Sequence, residues 1–175
     1  MRDHATVGRA QRISQFVFGS RGTIAGTVYG TIIVLAVLAA GGNAYRAEPW
    51  HLLVIVVTTV LVLWLAHVYA HGLEQSLDAN RRLRASELRR IARQQLAIPA
   101  AAVAPSAALV LGAVGVFRES TAVWVAFILG VVTLGVQGVR YATVERLSGR
   151  ATILAVAVNL ALGLALVALE VLVSH

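Results

Sequence analysis

A stripe of polar and ionisable side chains runs along residues 64–78, whose sequence is WLAHVYAHGLEQSLD. At 100° per residue, these side chains fall within an arc of about 80° on one helical face. Histidine titrates near neutrality, and a nearby carboxylate can hold its proton or help to bind a metal. The stripe therefore predicts a proton or cation site, and it consists of Trp64, His67, His71, Glu74 and Asp78.

The stripe lacks the pattern of a known metal enzyme. Val68 follows His67, which departs from the His-Glu-x-x-His zinc motif, and His-x-x-Glu alone lacks the carboxylates that a di-iron bundle takes from other helices. A partner must come from another helix at similar depth, and Gln137 and Tyr141 are the best candidates. The candidate proton or cation site is thus His67, His71, Glu74, Gln137 and Tyr141, with no catalytic residue and no particular metal assigned.

A structural explanation of the stripe is simpler. In it, His67 packs against another helix, while His71, Glu74 and Asp78 mark where the helix emerges into water. Ionisable residues near the end of a membrane helix cost far less free energy than central ones. Both interpretations stay open at this point.

Small residues define two further helical faces. Gly22, Gly26 and Gly30 recur at a spacing of four, which lets a second helix backbone approach closely, either within the chain or from a second copy. The alternative is that these glycines line a narrow path with exposed carbonyls. In the last apolar run, Asn159 and Gly163 also predict helix packing, with Asn159 hydrogen-bonded across the interface.

The composition places these faces in a membrane. Of the 175 residues, 58% are hydrophobic and 13% charged, whereas a soluble domain of this size carries about 25% charged residues. The length allows about four to six spans and no separate soluble domain. The chain has no cysteine, which excludes disulfides, thiolate metal sites and thiol catalysis.

Five long apolar runs predict an all-α bundle of five transmembrane helices. Residues 1–21 form a basic N-terminal segment, and residues 22–175 form one membrane domain. Pro105 lies inside the third run and should kink it. The runs are too long and too uniformly apolar for the strands of a membrane β-barrel. The predicted spans are residues 22–40, 51–71, 96–117, 121–139 and 151–173.

Residues 80–95 connect the second and third runs and carry six arginines. Ser86 and Glu87 suggest a helix start, and Leu88, Ile91 and Gln95 fall on one face. A short basic amphipathic helix of this kind is expected to rest on anionic lipid headgroups. The predicted headgroup contacts are Arg81, Arg82, Arg84, Arg89, Arg90 and Arg93.

The arginines also fix a predicted orientation. The sequence pI of about 11.2 is typical of nucleic-acid-binding proteins, but all fifteen basic residues are arginines that lie between apolar runs. With the N-terminus inside and the C-terminus outside, thirteen of them lie inside and only Arg46 and Arg118 outside. This predicts a multi-pass protein of the cytoplasmic membrane with no nucleic-acid partner.

The stretches GTIAGTVYGTIIVLAVLAA and TTVLVLWLAHVYAHGL resemble a family of small uncharacterised bacterial multi-pass membrane proteins. The resemblance implies membrane location and adds no catalytic residue.

Three classes of function remain open. A non-enzymatic assembly or accessory protein, acting with itself or a membrane partner, is preferred because it requires the fewest residues with a special chemical role. The second is a small proton or cation transporter or channel that uses the His67 face. The third is a membrane-embedded enzyme with a metal or haem, and we expect no cofactor.

Overall fold

A computed structural model describes residues 21–42, 44–45, 47–116 and 118–173. Apart from Arg21, the predicted basic segment lies outside the described residues. Seven helices account for most of the described chain: α1 Arg21–Gly41, α2 Pro49–Asp78, α3 Ala85–Gln94, α4 Ala97–Ala100, α5 Val103–Ala113, α6 Glu119–Val144 and α7 Gly149–Val173.

Four of these helices, α1, α2, α6 and α7, are long and apolar enough to cross a bilayer, and the bent series α3 to α5 makes a fifth if it counts as one span. The predicted all-helical architecture is therefore confirmed, with four or five long apolar helices where five were predicted, and these helices are typical of a membrane protein. The 30 residues of α2 extend about 45 Å, whereas a hydrocarbon core is about 30 Å thick. A helix of this length is longer than the core is thick.

The third apolar run is interrupted twice, each time four residues before a proline. Pro99 and Pro105 have no N–H for the carbonyls of Gln95 and Ala101, and their rings clash with those carbonyls. Helices α3 and α4 end one residue before these two carbonyls. Each proline is the third residue of the next helix, where its missing N–H costs little. The axis bends by 51° between α4 and α5, so the predicted kink is present, with a second break at Pro99.

The predicted end of the third run at residue 117 is wrong, because α5 ends at Ala113. Gly115 has a φ of +79°, which a residue with a side chain adopts only at a cost. The N–H of Gly115 donates to the carbonyl of Gly112, and that of Val116 donates to Leu111. These two bonds form a Schellman motif that stops the helix before the apolar residues run out.

The helices pack in an antiparallel arrangement with two distinguishable ends. At the end called here the connector end, α1 begins near α4, since Gly26 faces Ala97. At the opposite end, α5 finishes where Gly112 faces Ala122 of α6 and Pro49 of α2. The core between the two ends is apolar and includes Val34, Leu35, Leu38, Leu52 and Phe127.

Candidate functional site

The polar face of α2 meets α1 at Tyr29. The ring centroids of Tyr29 and His67 are 4.9 Å apart, and those of His67 and His71 are 6.3 Å apart. The Nδ1 atoms of His67 and His71 lie 3.1 and 3.0 Å from the carbonyl oxygens of Leu63 and His67. A carbonyl can only accept, so each Nδ1 donates in this arrangement. Tyr29, His67 and His71 thus form a continuous row of rings.

The other members of the predicted proton or cation site do not join this row. Glu74 is exposed, while Gln137 and Tyr141 lie in a cavity that α6 forms with α1 and α7. Tyr29 also lines that cavity, so it lies between the two groups of residues. Across the described residues, no three His, Asp or Glu side chains lie close enough together to hold a metal ion. Helical periodicity predicted which residues share a face but not which helix each face meets.

The cavity between α1, α6 and α7 has a volume of about 560 Å³, within the range of small-molecule sites. Helix α1 supplies mainly aliphatic side chains, whereas α6 and α7 supply the polar ones. Among the described side chains that line the cavity, the charged one is Glu145, directly after α6. The polar and aromatic lining residues are Tyr29, Gln137, Tyr141, Glu145 and Asn159.

Gln137 is the most unusual residue of this lining. Its side chain is 5% exposed, and its Oε1 atom has no hydrogen-bond partner among the described residues. A buried polar atom without a partner costs about 1–3 kcal/mol, and most such atoms in folded proteins are paired. The described part of the chain therefore buries an amide whose oxygen it does not satisfy.

The glycine face of α1 is occupied within the chain. A Cβ atom added at Gly26 would lie 3.0 Å from Cβ of Ala97, and one added at Gly30 would lie 2.5 Å from the carbonyl oxygen of Ile98. Gly26 and Gly30 therefore let α1 and α4 approach closely, and α4 covers the surface that a second copy would need. Gly22 is exposed at the start of α1.

The threonines beside this stripe bond within their own helix. The hydroxyl of Thr27 donates to the carbonyl of Thr23, and that of Thr31 to the carbonyl of Thr27, both at 2.8 Å. Thr31 is fully buried. The polar stripe of α1 is thus satisfied without a ligand at Thr27 and Thr31.

The hydrogen bond predicted from Asn159 across a helix interface is not the one observed. Its Nδ2 atom donates to the carbonyl of Ala155, one turn earlier in α7, at 3.0 Å. The side chain nevertheless lies at the α6–α7 contact, where a Cβ on Gly138 would be 3.2 Å from Nδ2. Gly163 packs against Leu134 of α6. The close approach depends on Gly138, which the sequence reasoning missed although it follows Leu134 at a spacing of four.

The basic connector is anchored to α2 by its apolar side. Ile91 is 1% exposed, and the indole N–H of Trp64 donates to the carbonyl of Ala92 at 3.2 Å. This carbonyl lies in the last turn of α3 and has no partner later in that helix. The Trp64 bond was also missed, because the sequence does not show that α3 lies against this part of α2.

Glu87 organises the start of the connector. Its carboxylate accepts two hydrogen bonds from Arg81, at 2.7 and 3.0 Å, and one from the backbone N–H of Arg84, at 2.7 Å. Hydrogen bonding to Arg81, and then to Arg84, lowers the pKa of Glu87 to about 2. Helix α3 begins at Ala85 with Arg84 before it, so the start predicted at Ser86 is slightly late.

The remaining connector arginines point away from the bundle. Arg82, Arg84, Arg89, Arg90 and Arg93 are all exposed. A surface recess of about 450 Å³ is lined by Ser86, Arg89, Arg90, Arg93 and Gln94. Their guanidinium groups offer several donors each, suited to phosphate oxygens.

No protein-family model, curated protein or solved structure matches the chain.

Proposed function

We propose that the chain is a non-enzymatic assembly or accessory protein of the cytoplasmic membrane. It crosses the bilayer five times, with its N-terminus inside and its C-terminus outside, and its connector holds anionic lipid headgroups at the inner surface. The observation that carries this proposal is the exposed arginine face of α3, fixed to α2 on its opposite side.

The geometry of α3 supports headgroup binding. Ile91 is buried while Arg89, Arg90 and Arg93 are exposed, so the short helix has one side held by protein and one side free for the lipid surface. An arginine near an anionic leaflet contributes about 1 kcal/mol of attraction. Three arginines on one recess therefore favour an anionic over a zwitterionic headgroup by about 3 kcal/mol, or on the order of 100-fold.

The distribution of the other arginines supports the proposed orientation. Arg146 and Arg150 are exposed near the α6–α7 turn, and this turn follows Gln137 and Tyr141, which share a cavity with the start of α1. The connector end thus carries most of the arginine, whereas Arg118 lies at the opposite end. Loops rich in arginine stay in the cytoplasm.

Native mass spectrometry of the full chain with phosphatidylglycerol and phosphatidylcholine tests the headgroup proposal. We expect the wild type to retain phosphatidylglycerol preferentially and the triple variant R89Q/R90Q/R93Q to lose that preference. Arg118→Gln, which removes an arginine from the opposite end, serves as a control and should keep the preference. If the triple variant kept the full preference, headgroup binding by α3 would be refuted.

A reporter fused after His175 tests the orientation separately. An outside C-terminus predicts a periplasmic reporter that is active and a cytoplasmic reporter that is inactive. The opposite pattern would contradict the five-span arrangement.

The assembly part of the proposal needs a surface other than the glycine face, because α4 covers Gly26 and Gly30. Helix α7 offers one, since Ile153, Leu154 and Val158 are each more than half exposed. Crosslinking in native membranes should recover a species larger than the monomer. Recovery of monomer alone would contradict assembly while leaving headgroup binding intact.

The ring row favours a second candidate, proton or cation transport. Tyr29, His67 and His71 are aligned across the α1–α2 contact, and each of the three rings carries a group that can donate or accept a hydrogen bond. A pH-dependent flux in proteoliposomes that is lost in His67→Ala would support it. His51→Ala, which changes a histidine at the other end of α2, is the control, and equal flux in all three proteins would contradict it.

A further inference from the structure

We propose that the cavity between α1, α6 and α7 binds a neutral single-chain amphiphile whose hydroxyl group donates a hydrogen bond to Gln137. The site lies away from the arginine recess of α3, and this inference does not depend on headgroup binding there.

The need for a donor comes from Gln137. Its side chain is 5% exposed, its Oε1 atom lacks a partner among the described residues, and the residue lines the cavity. An amide oxygen only accepts, so the group that satisfies it must donate, and a hydroxyl group does so.

The apolar chain of the ligand is indicated by α1. Ile24, Ala25, Val28 and Ile32 form the α1 side of the cavity, a surface on which a phosphate or sugar would lose its hydration without replacement. An aliphatic chain has no polar group whose hydration would be lost there. The volume of about 560 Å³ suits a ligand of small-molecule size.

The neutrality of the ligand follows from the charge of the lining. Among the described lining residues, the charged side chain is the carboxylate of Glu145. Among the described residues, no arginine or lysine lines the cavity to pair with an anionic headgroup, so an alcohol is favoured over a phospholipid or a fatty acid.

Photolabelling of the full chain in phosphatidylcholine nanodiscs tests the proposal. The probes are hexadecanol with a diazirine in its chain and the corresponding methyl ether, which cannot donate a hydrogen bond. We expect the alcohol to label α1 and α6 saturably, with unlabelled hexadecanol competing. Because only the alcohol can donate a hydrogen bond to Gln137, it should bind about three- to tenfold more tightly than the ether.

Two variants test separately the binding of the ligand's aliphatic chain and its hydrogen bond to Gln137. Ala25→Phe fills the apolar side and should lower saturable labelling at least tenfold, while the matched control Ala66→Phe, on the exposed face of α2, should label like the wild type. Gln137→Leu keeps the side-chain size and should abolish the preference for the alcohol over the ether.

Three results would overturn the inference. The first is labelling that does not saturate, as expected if only bulk lipid tails or water enter the cavity. The second is equal labelling of Ala25→Phe and Ala66→Phe. The third is a wild type that binds alcohol and ether equally, or a Gln137→Leu variant that still distinguishes them.

Discussion

Substituting Gly30 by alanine tests the α1–α4 contact directly. The added Cβ would lie 2.5 Å from the carbonyl oxygen of Ile98, which is 0.9 Å short of the 3.4 Å at which ordinary contact begins. It would also lie 3.0 Å from Cβ of Ala101. Ile98 belongs to α4 and Ala101 directly follows it, and neither atom is the end of a flexible side chain, so α1 and this segment must separate.

Two opposing effects set the change in the free energy of unfolding. Overpacking of a well-packed contact costs about 1–3 kcal/mol. Alanine has a higher helix propensity than glycine by up to about 1 kcal/mol, which offsets part of that cost. We therefore expect Gly30→Ala to lower the free energy of unfolding by up to about 2 kcal/mol.

Two matched substitutions make the prediction quantitative. At Gly26 the new Cβ would be 3.0 Å from Cβ of Ala97, a shortfall of 0.4 Å, so Gly26→Ala should cost less than Gly30→Ala. At Gly135 the nearest atom is Cδ2 of Leu160 at 3.3 Å, which can move, so Gly135→Ala should be neutral or slightly stabilising.

Unfolding of the three variants by SDS in mixed micelles, followed by circular dichroism, provides the measurement. The expected order of destabilisation is Gly30→Ala, then Gly26→Ala, then Gly135→Ala. Equal stability of Gly30→Ala and Gly135→Ala would refute the close approach of α1 and α4 described here.

Three further predictions concern the connector and the α6–α7 turn. Trp64→Phe removes the donor to the Ala92 carbonyl and should destabilise the docking of α3 by about 0.5–1.5 kcal/mol, measured as faster amide exchange in α3 with α6 as internal reference. Arg146 has a φ of +51°, so Arg146→Gly should stabilise the chain by about 1 kcal/mol in SDS unfolding, whereas Arg146→Ala, which keeps the strain, should not. Because the pKa of Glu87 is lowered to about 2, its contribution to stability is fully present above the ordinary carboxyl pKa of 4.5 and is lost as the pH falls from there through about 2. The protection of α3 amides, measured relative to the intrinsic exchange rate at each pH, should therefore fall over that range in the wild type and show no such pH dependence in Glu87→Gln.

The sequence by itself determined the helices. The length of each apolar run and the cost of burying arginine define the long helices, and the kink predicted at Pro105 follows from its missing N–H group. The break at Pro99 has the same cause but was not predicted. The end of α5 at Gly115 was missed because the surrounding residues remain apolar, although a glycine at that point is a typical stop signal.

Only the tertiary structure decided which faces meet. Gly26 and Gly30 pack against α4 within the chain, and Tyr29 lies between His67 and Gln137. The physical reason is that lipid tails are as apolar as leucine, so an apolar face on a membrane helix does not reveal whether it meets lipid or protein. Periodicity assigns residues to faces, but the pairing of those faces depends on contacts between helices far apart in the chain.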